Sequence, residues 1–500
     1  MPDLRYAAYP AAILYELGKE PGTGADAQPP AQLKALKQLL WGDELVVLGT
    51  SDDGRYLKVF ARKERGWMRV EDTLADRLLE VVFVDIGQGD GALVITPDNR
   101  RYIVDAGKGD NMTRFLRWRF GFKETTTFEA AVLSHSDLDH YGGFDALFKE
   151  RNVHFNCVYT NGLMERAADK ASLVLGAPVA SDGQRYITGL VTSLDEFRAF
   201  LDVPEHAAGK RYPTMLGQAF KDGKFDDLRM LDETDTYLPG HEPGEDLVVR
   251  VLGPVPETVA GKKALRWFGD VGKTKNGHSV ALHLRYRGVR LFLGGDLNIE
   301  SSRHLLAAHT GLDGNPANAQ QEKALIEAAR PLFESDIAKA CHHGSADTLL
   351  PLIRSINPVA TIISSGDDEP YAHPRADALG AIAKCSRGDR PLLLSTELAR
   401  SSKEVIKYPE ALRAQLRDLA AKIAAAQTDE DRDRAQAKFE AKIAELDRSV
   451  AVYGAINLRT DGEKVVLAYK LERSTPTRGW DIYQLEPDDE GALVYRSKYD

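Results

Sequence analysis

Residues 130–143 read Ala130-Ala131-Val132-Leu133-Ser134-His135-Ser136-Asp137-Leu138-Asp139-His140-Tyr141-Gly142-Gly143. A short apolar run, of the kind that forms a buried strand, delivers two imidazoles and two carboxylates within the next few residues. Asp137 and Asp139 repel each other and resist burial unless a cation holds them. The stretch therefore predicts a metal site at the mouth of a strand. A solvated acidic loop is the competing reading, and the density of ligand types weighs against it.

Working outward, Val81-Val82-Phe83-Val84-Asp85-Ile86 and Ala92-Leu93-Val94-Ile95 flank Gly87-Gln88-Gly89-Asp90-Gly91, and Tyr102-Ile103-Val104-Asp105-Ala106-Gly107 follows. These read as consecutive strands. The glycines have the wrong spacing for a dinucleotide fingerprint and precede a strand, so they mark a tight connection. Farther on come Ser279–Leu284, Val289–Asp296, a helix from about Ile299, and Ile337-Ala338-Lys339-Ala340-Cys341-His342-His343-Gly344-Ser345. An acid or histidine closes each strand, which is where α/β folds place their chemistry. Gly344 and Ser345 are expected at a strand-to-helix junction whose amides cradle an anion.

Residues 1–79 form a separate module in this reading. Leu40–Leu48, Tyr56–Phe60 and Gly66–Val70 alternate like short strands around Asp52-Asp53-Gly54, which suits a small β-barrel. Trp41 and Trp67 are either its aromatic core or a ligand-contacting pair, and Pro21–Pro30 reads as a loop. Between 409 and 449, one stripe of Leu412, Leu416, Leu419 and Ile423 and another of Phe439, Ile443 and Leu446 predict a helical hairpin, with Thr428 capping the second helix. Strands return at 451–458 and 464–469. The expected domains are thus 1–79, a hydrolase-like domain over 80–408, an inserted hairpin over 409–449, and C-terminal strands over 450–500.

The 500 residues carry a formal charge of -10, which argues against a chain that coats nucleic acid by bulk electrostatics. Three widely spaced cysteines without a CxxC pair suggest a reduced, cytoplasmic protein. Neither a basic leader nor a membrane-length apolar run is evident, so export and membrane insertion are not expected.

The ordered set Val84-Asp85-Ile86-Gly87-Gln88-Gly89-Asp90, Val104-Asp105-Ala106-Gly107, His135-x-Asp137-x-Asp139-His140, Leu293-Gly294-Gly295-Asp296 and His342-His343-Gly344-Ser345 resembles the metallo-β-lactamase superfamily, most closely its ComEC-like branch. The N-terminal module, with Gly66-Trp67, resembles a bacterial Src-homology-type barrel. The resemblance implies an α/β fold, an αββα sandwich with an N-terminal barrel and an inserted hairpin. It also implies metal ligands at His135, Asp137, Asp139, His140 and Asp296, with Asp296 bridging two ions, and one of His342 and His343. Asp105 matches an aspartate that orients a ligand histidine without binding metal. Asp137 stands where the wider superfamily has a histidine; a hard oxygen donor there shifts preference from zinc towards manganese or magnesium. The cofactor expected is one or two divalent ions, manganese or zinc ahead of magnesium.

A further histidine of the superfamily has no clear counterpart, and Asn276-Gly277-His278-Ser279 occupies its place. His278 is either a ligand or a solvent-facing loop residue, while Asn276 and Ser279 are candidates, with Gly344 and Ser345, for substrate contact. His373, in Tyr371-Ala372-His373-Pro374 after the loop 364–369, is either a contact to the scissile group or a structural histidine before a turn. Such ions lower the pKa of water towards neutrality, and the hydroxide attacks phosphorus or carbon, with Asp139 and His373 as the catalytic side chains. The resemblance implies a soluble phosphodiesterase or nuclease acting on nucleic acid or a nucleotide. Basic residues along the insertion 152–275 favour phosphate; a phosphorylcholine ester, a thioester or a lactam is the alternative. A non-catalytic scaffold that recruits a protein through the barrel or hairpin is the third reading.

Overall fold

A computed structural model describes residues 3–18, 28–366, 371–396, 409–447, 450–497 and 499. Most of the Pro21–Pro30 loop, Asp367-Asp368-Glu369, and the side chains of Leu412, Ile443 and Leu446 lie outside the described residues.

The site-bearing region is built on two sheets. One has ten strands, in the order Phe225–Met230, Val153–Thr160, Thr126–Val132, Arg101–Ala106, Gly91–Ile95, Leu79–Phe83, Ile456–Thr460, Val465–Thr475, Arg478–Pro487 and Leu493–Tyr495. The other has six, in the order Leu247–Gly253, Ala281–Tyr286, Val289–Leu293, Ile337–Lys339, Ala360–Ile363 and Leu392–Ser395. Both are mixed, with parallel pairing where helices cross between strands. Their facing surfaces share one core, in which Val81, Val94 and Val132 meet Val249, Leu282, Leu291 and Ile362.

Successive side chains of a strand point to opposite faces, so the neighbours of these residues form the outer cores. Val82, Leu93 and Ala131 pack against Phe115 and Leu116 of the helix Asn111–Phe120 and Phe144 of Phe144–Lys149. Phe292 and Ala338 pack against Leu305, Leu325, Phe333 and Leu352 of three further helices. Burial on both faces explains why these strands read as unbroken apolar runs.

The N-terminal module is an antiparallel seven-stranded sheet. The expected strand Leu40–Leu48 is two strands, Ala35–Leu40 and Glu44–Thr50, because Asp43 accepts from Leu40 N at 3.1 Å and Gly42 takes a left-handed conformation (φ 76°). Strands Leu4–Ala7 and Ala11–Tyr15 complete the sheet. Trp67 and Trp41 are both buried, Trp41 against Leu78, Val466 and Trp480 at the junction with the ten-stranded sheet. They are core residues, not a ligand-contacting pair.

Helices Pro409–Ala425 and Asp429–Asp447 pack together, and the Thr428 hydroxyl accepts from Asp431 N at 3.1 Å. The chain then supplies Ile456–Thr460, which pairs with Leu79–Phe83 in the interior of the large sheet. The three cysteines are free thiols. No helix among the described residues is long and apolar enough to cross a membrane.

Phe292 is fully buried between the six-stranded sheet and its helices. Phe292→Ala is expected to lower stability by about 3–5 kcal/mol, read as a fall in thermal or urea midpoint.

Candidate metal centre

The loops at one end of the two sheets bring the site together. Gly89 lets the Gly87–Asp90 turn lie directly on the metal motif: a side chain there would meet Asp139 O at 1.7 Å, and Asp90 N donates to that carbonyl at 3.2 Å. Gly295, at φ 53°, brings the backbone before Asp296 against Ser279, whose hydroxyl accepts from Asp296 N at 2.9 Å. His342 and His343 both adopt left-handed backbone conformations, at φ 50° and 54°, in a tight turn after the strand Ile337–Lys339. Consecutive non-glycine residues in that region cost free energy, which the surrounding packing must offset.

Three ligand atoms converge. His140 Nε2 is 3.2 Å from Asp296 Oδ2, His343 Nε2 is 3.3 Å from the same oxygen, and the two nitrogens are 3.3 Å apart. Metal bonds of about 2.1 Å place neighbouring donors roughly 3.0–3.4 Å apart in octahedral or tetrahedral arrangements, so the triangle fits one divalent ion. Each imidazole is fixed through its other nitrogen. His140 Nδ1 faces Asp105 Oδ2 at 2.8 Å; His343 Nδ1 faces Ser364 O at 3.0 Å and Asp90 Oδ1 at 3.1 Å. This leaves both Nε2 atoms to meet Asp296. Asp90, His140, Asp296 and His343 form a buried group whose ligand atoms all lie within 4.8 Å of one another.

The remaining expected ligands border this point. Asp139 Oδ2 is 3.5 Å from His343 Nε2 and accepts from Gln88 Nε2 at 3.2 Å. His342 Nε2 lies farther out, 3.9 Å from Asp296 Oδ2. His135 packs against His140 with the rings tilted at 49° and their centroids 4.1 Å apart; its Nε2 is buried without a hydrogen-bond partner, 3.7 Å from Asp137 Oδ2. Asp137 is ion-paired with Lys275, which also binds Glu165 at 2.6 Å. His373 stands at the rim, its ring 5.6 Å from that of His342.

Several expectations are corrected here. His278 is neither a ligand nor a loop residue facing solvent: it is buried after the helix Val271–Gly277, stacked on Phe268, with Nε2 donating to Arg266 O at 2.7 Å. Burial draws its pKa down to about 3, so it stays neutral. Ser279 is fully buried; its hydroxyl donates to Asn276 O at 2.8 Å and accepts from Asp296 N, so it positions Asp296 and does not face a substrate. Gly344 and Ser345 do not open a helix, since the next begins at Leu350; Ser345 N is taken by His342 O at 2.8 Å. Asn276, with its amide oriented to satisfy both atoms, donates to Asp137 Oδ2 at 2.7 Å.

Sequence reasoning assigned no role to Asp90, Lys339 or Lys275. Lys339 is buried, ion-paired with Asp90, and 3.7 Å from Asp296 Oδ1. A lone lysine inside the apolar run Ile337–Ala340, three residues before the histidine pair, is the signal that marks it. Asp90 ends a glycine turn and closes no strand, which hid it.

The charges explain the pKa pattern. Six carboxylates, Asp90, Asp105, Asp137, Asp139, Asp296 and Glu165, share this site with two lysines. Burial opposes protonation of His140 and His343, but Asp296 with Asp105 or Asp90 holds both imidazoles well above their ordinary values. Burial likewise opposes ionisation of Asp137, yet His135 and Lys275 bring it down to about 2. The excess negative charge is met by imidazolium protons or by a divalent cation.

No family model matches the chain. ComE operon protein 3 of Bacillus subtilis (strain 168) is 23% identical over 325 residues, covering 61% of this chain and 31% of that protein. The chain therefore spans less than a third of the length of this relative. A solved mutant of CmlA beta-hydroxylase overlaps 61% of this chain and 49% of its own, at 10% identity and a TM-score of 0.28. The architecture is mixed α/β, and the likeness to ComE operon protein 3 is distant and partial.

Two outcomes are expected. Asp105→Asn removes the acceptor that keeps the His140 proton on Nδ1, and metal affinity should fall about 10- to 100-fold in a chelator competition. Metal must also displace protons from His140 and His343. Affinity should therefore rise with pH until those raised values are passed, and binding at neutral pH should release protons. Calorimetry in buffers of different ionisation enthalpy reads that release, and identical heats in all buffers would contradict it.

Proposed function

We propose that the chain is a metal-dependent hydrolase of phosphodiesters, with nucleic acid or a nucleotide as substrate, on an αββα sandwich of the metallo-β-lactamase type. The observation that carries this reading is the triangle of His140 Nε2, His343 Nε2 and Asp296 Oδ2, with both Nδ1 atoms already committed. A divalent ion held there supplies Lewis-acid polarisation and lowers the pKa of water towards neutrality. Two imidazoles with a carboxylate suit manganese or zinc ahead of magnesium. His135 and Asp137 frame the position for a second ion.

The side chains divide the remaining work. Asp105 and the Ser364 carbonyl fix the tautomers of His140 and His343, with Asp90 beside the latter. Asp139, held by Gln88, borders the ligand point and orients the attacking water's proton. His373 and His342 line the rim, where an imidazole can protonate the departing oxygen. Lys339 and Lys275 stand beside the carboxylates and moderate the repulsion that an incoming phosphate meets. The same reading assigns residues 1–79 to a small barrel of Src-homology type, 80–408 with 450–500 to the hydrolase, and 409–449 to an inserted hairpin. The barrel or the hairpin is the place for a protein partner, and the compartment is cytoplasmic.

Hydrolysis of bis(p-nitrophenyl) phosphate and of single- and double-stranded DNA with Mn²⁺, Zn²⁺ or Mg²⁺ tests the proposal. Metal-dependent turnover is expected, reduced on the order of 100-fold or more by Asp139→Ala and by Asp296→Ala. Stoichiometric metal binding without turnover of any phosphodiester would contradict it.

A further inference from the structure

A cavity of about 550 Å³ lies away from the metal centre, between the N-terminal sheet and the strands Val465–Thr475 and Arg478–Pro487. Its size is that of a small-molecule site, typically about 300–1,000 Å³. Phe60 and Arg62 reach it from the N-terminal sheet, and Trp118, Arg119, Lys470 and Trp480 from the other side.

The cations in this wall are poorly compensated. Lys470, paired across strands with Trp480, holds its ammonium 5.3 Å from the Trp480 ring and 6.0 Å from the Trp118 ring. It forms no ion pair among the described residues. Burial, with Arg62 and Lys37 nearby, draws its pKa down to about 8 even though Asp43 opposes the shift. Behind it, Arg62 and the fully buried Arg459 share Asp43, while Arg119 and Arg459 share Glu80. In the cavity lining itself five cations, Lys37, Arg62, Lys63, Arg119 and Lys470, face three carboxylates, Asp43, Glu44 and Glu64, with Glu64 paired to Lys37 and Glu44 to Arg77 from behind the wall. An excess of half-buried positive charge is costly unless an anion offsets it. At the mouth, Phe60 leaves 41% of its surface exposed, a flat apolar face beside the cations.

We propose that this cavity binds a small phosphate-bearing aromatic anion, a nucleotide, with its phosphate between Lys470 and Arg62 and its base against Phe60. The walls come from two modules and enclose the volume of one ligand, whereas a nucleic-acid strand calls for a continuous open groove. Such a ligand touches both sides of the junction, so its occupancy couples the N-terminal sheet to the large one.

Calorimetric titration of the full chain with AMP, and separately with inorganic phosphate, tests this without added metal. AMP is expected to bind at one site below millimolar concentration and more tightly than phosphate. Lys470→Gln and the surface change Phe60→Ala should each weaken AMP at least about tenfold, while His343→Ala, which disables the metal centre, should leave it unchanged. No saturable heat with AMP, affinity unmoved by both cavity variants, phosphate binding as tight as AMP, or loss of binding in His343→Ala would each overturn the proposal. None of these outcomes depends on whether the metal centre hydrolyses phosphodiesters.

Discussion

The carboxylate of Asp105 accepts Ser134 N at 2.8 Å and Ser134 Oγ at 2.6 Å through its two oxygens, and meets His140 Nδ1 at 2.8 Å. These contacts bind the end of the strand Arg101–Ala106 to the start of the metal motif on the neighbouring strand. They also decide which nitrogen of His140 carries the proton. Asp105 itself sits at φ 54°, a conformation that an aspartate tolerates better than most residues and that turns its side chain back towards Ser134. The two distances of the triangle that involve His140 presuppose this arrangement, because His140 Nε2 faces Asp296 only when Nδ1 is held from behind.

The centre is also an exercise in charge balance. Asp137 is met by Lys275, while Lys339 meets Asp90 on the opposite side. A fixed ammonium is a charge without a coordination preference, so these two lysines neutralise acid without competing for the geometry of the ligand point. The position framed by His135 and Asp137 differs from the triangle in how its charge is met: Lys275 pairs directly with Asp137, whereas Lys339 pairs with Asp90 and stands 3.7 Å from Asp296 Oδ1.

Much of this was legible in the letters. The run from His135 to His140 announced itself because four potential ligands in six positions have no comfortable apo state, and Asp296 and the histidine pair followed as polar ends of apolar strands. The choice between His342 and His343 was not legible. It depends on two successive left-handed residues that aim one ring inward and leave the other at 3.9 Å from Asp296. His278 misled because a polar residue next to glycine reads as a loop, whereas tertiary packing on Phe268 buried it. Lys275 and Asp90 were invisible for a related reason: each owes its role to a partner far away in sequence, Glu165 and Asp137 in one case, His343 and Lys339 in the other. The N-terminal strands Leu4–Ala7 and Ala11–Tyr15 lack strong alternation and are recruited by their neighbours.

The strand Ile456–Thr460 has a consequence for how the molecule is made. It lies between Leu79–Phe83 and Val465–Thr475, so two halves of one sheet join only through a segment translated more than 370 residues after the first of them. A nascent chain must hold Leu79–Phe83 with an unpaired, apolar edge throughout the synthesis of everything between, including the whole six-stranded sheet. The Gly87–Asp90 turn springs from that same waiting strand. The large sheet is thus complete only once Ile456–Thr460 has been made, and an intermediate that lacks it is the species most exposed to wrong pairing.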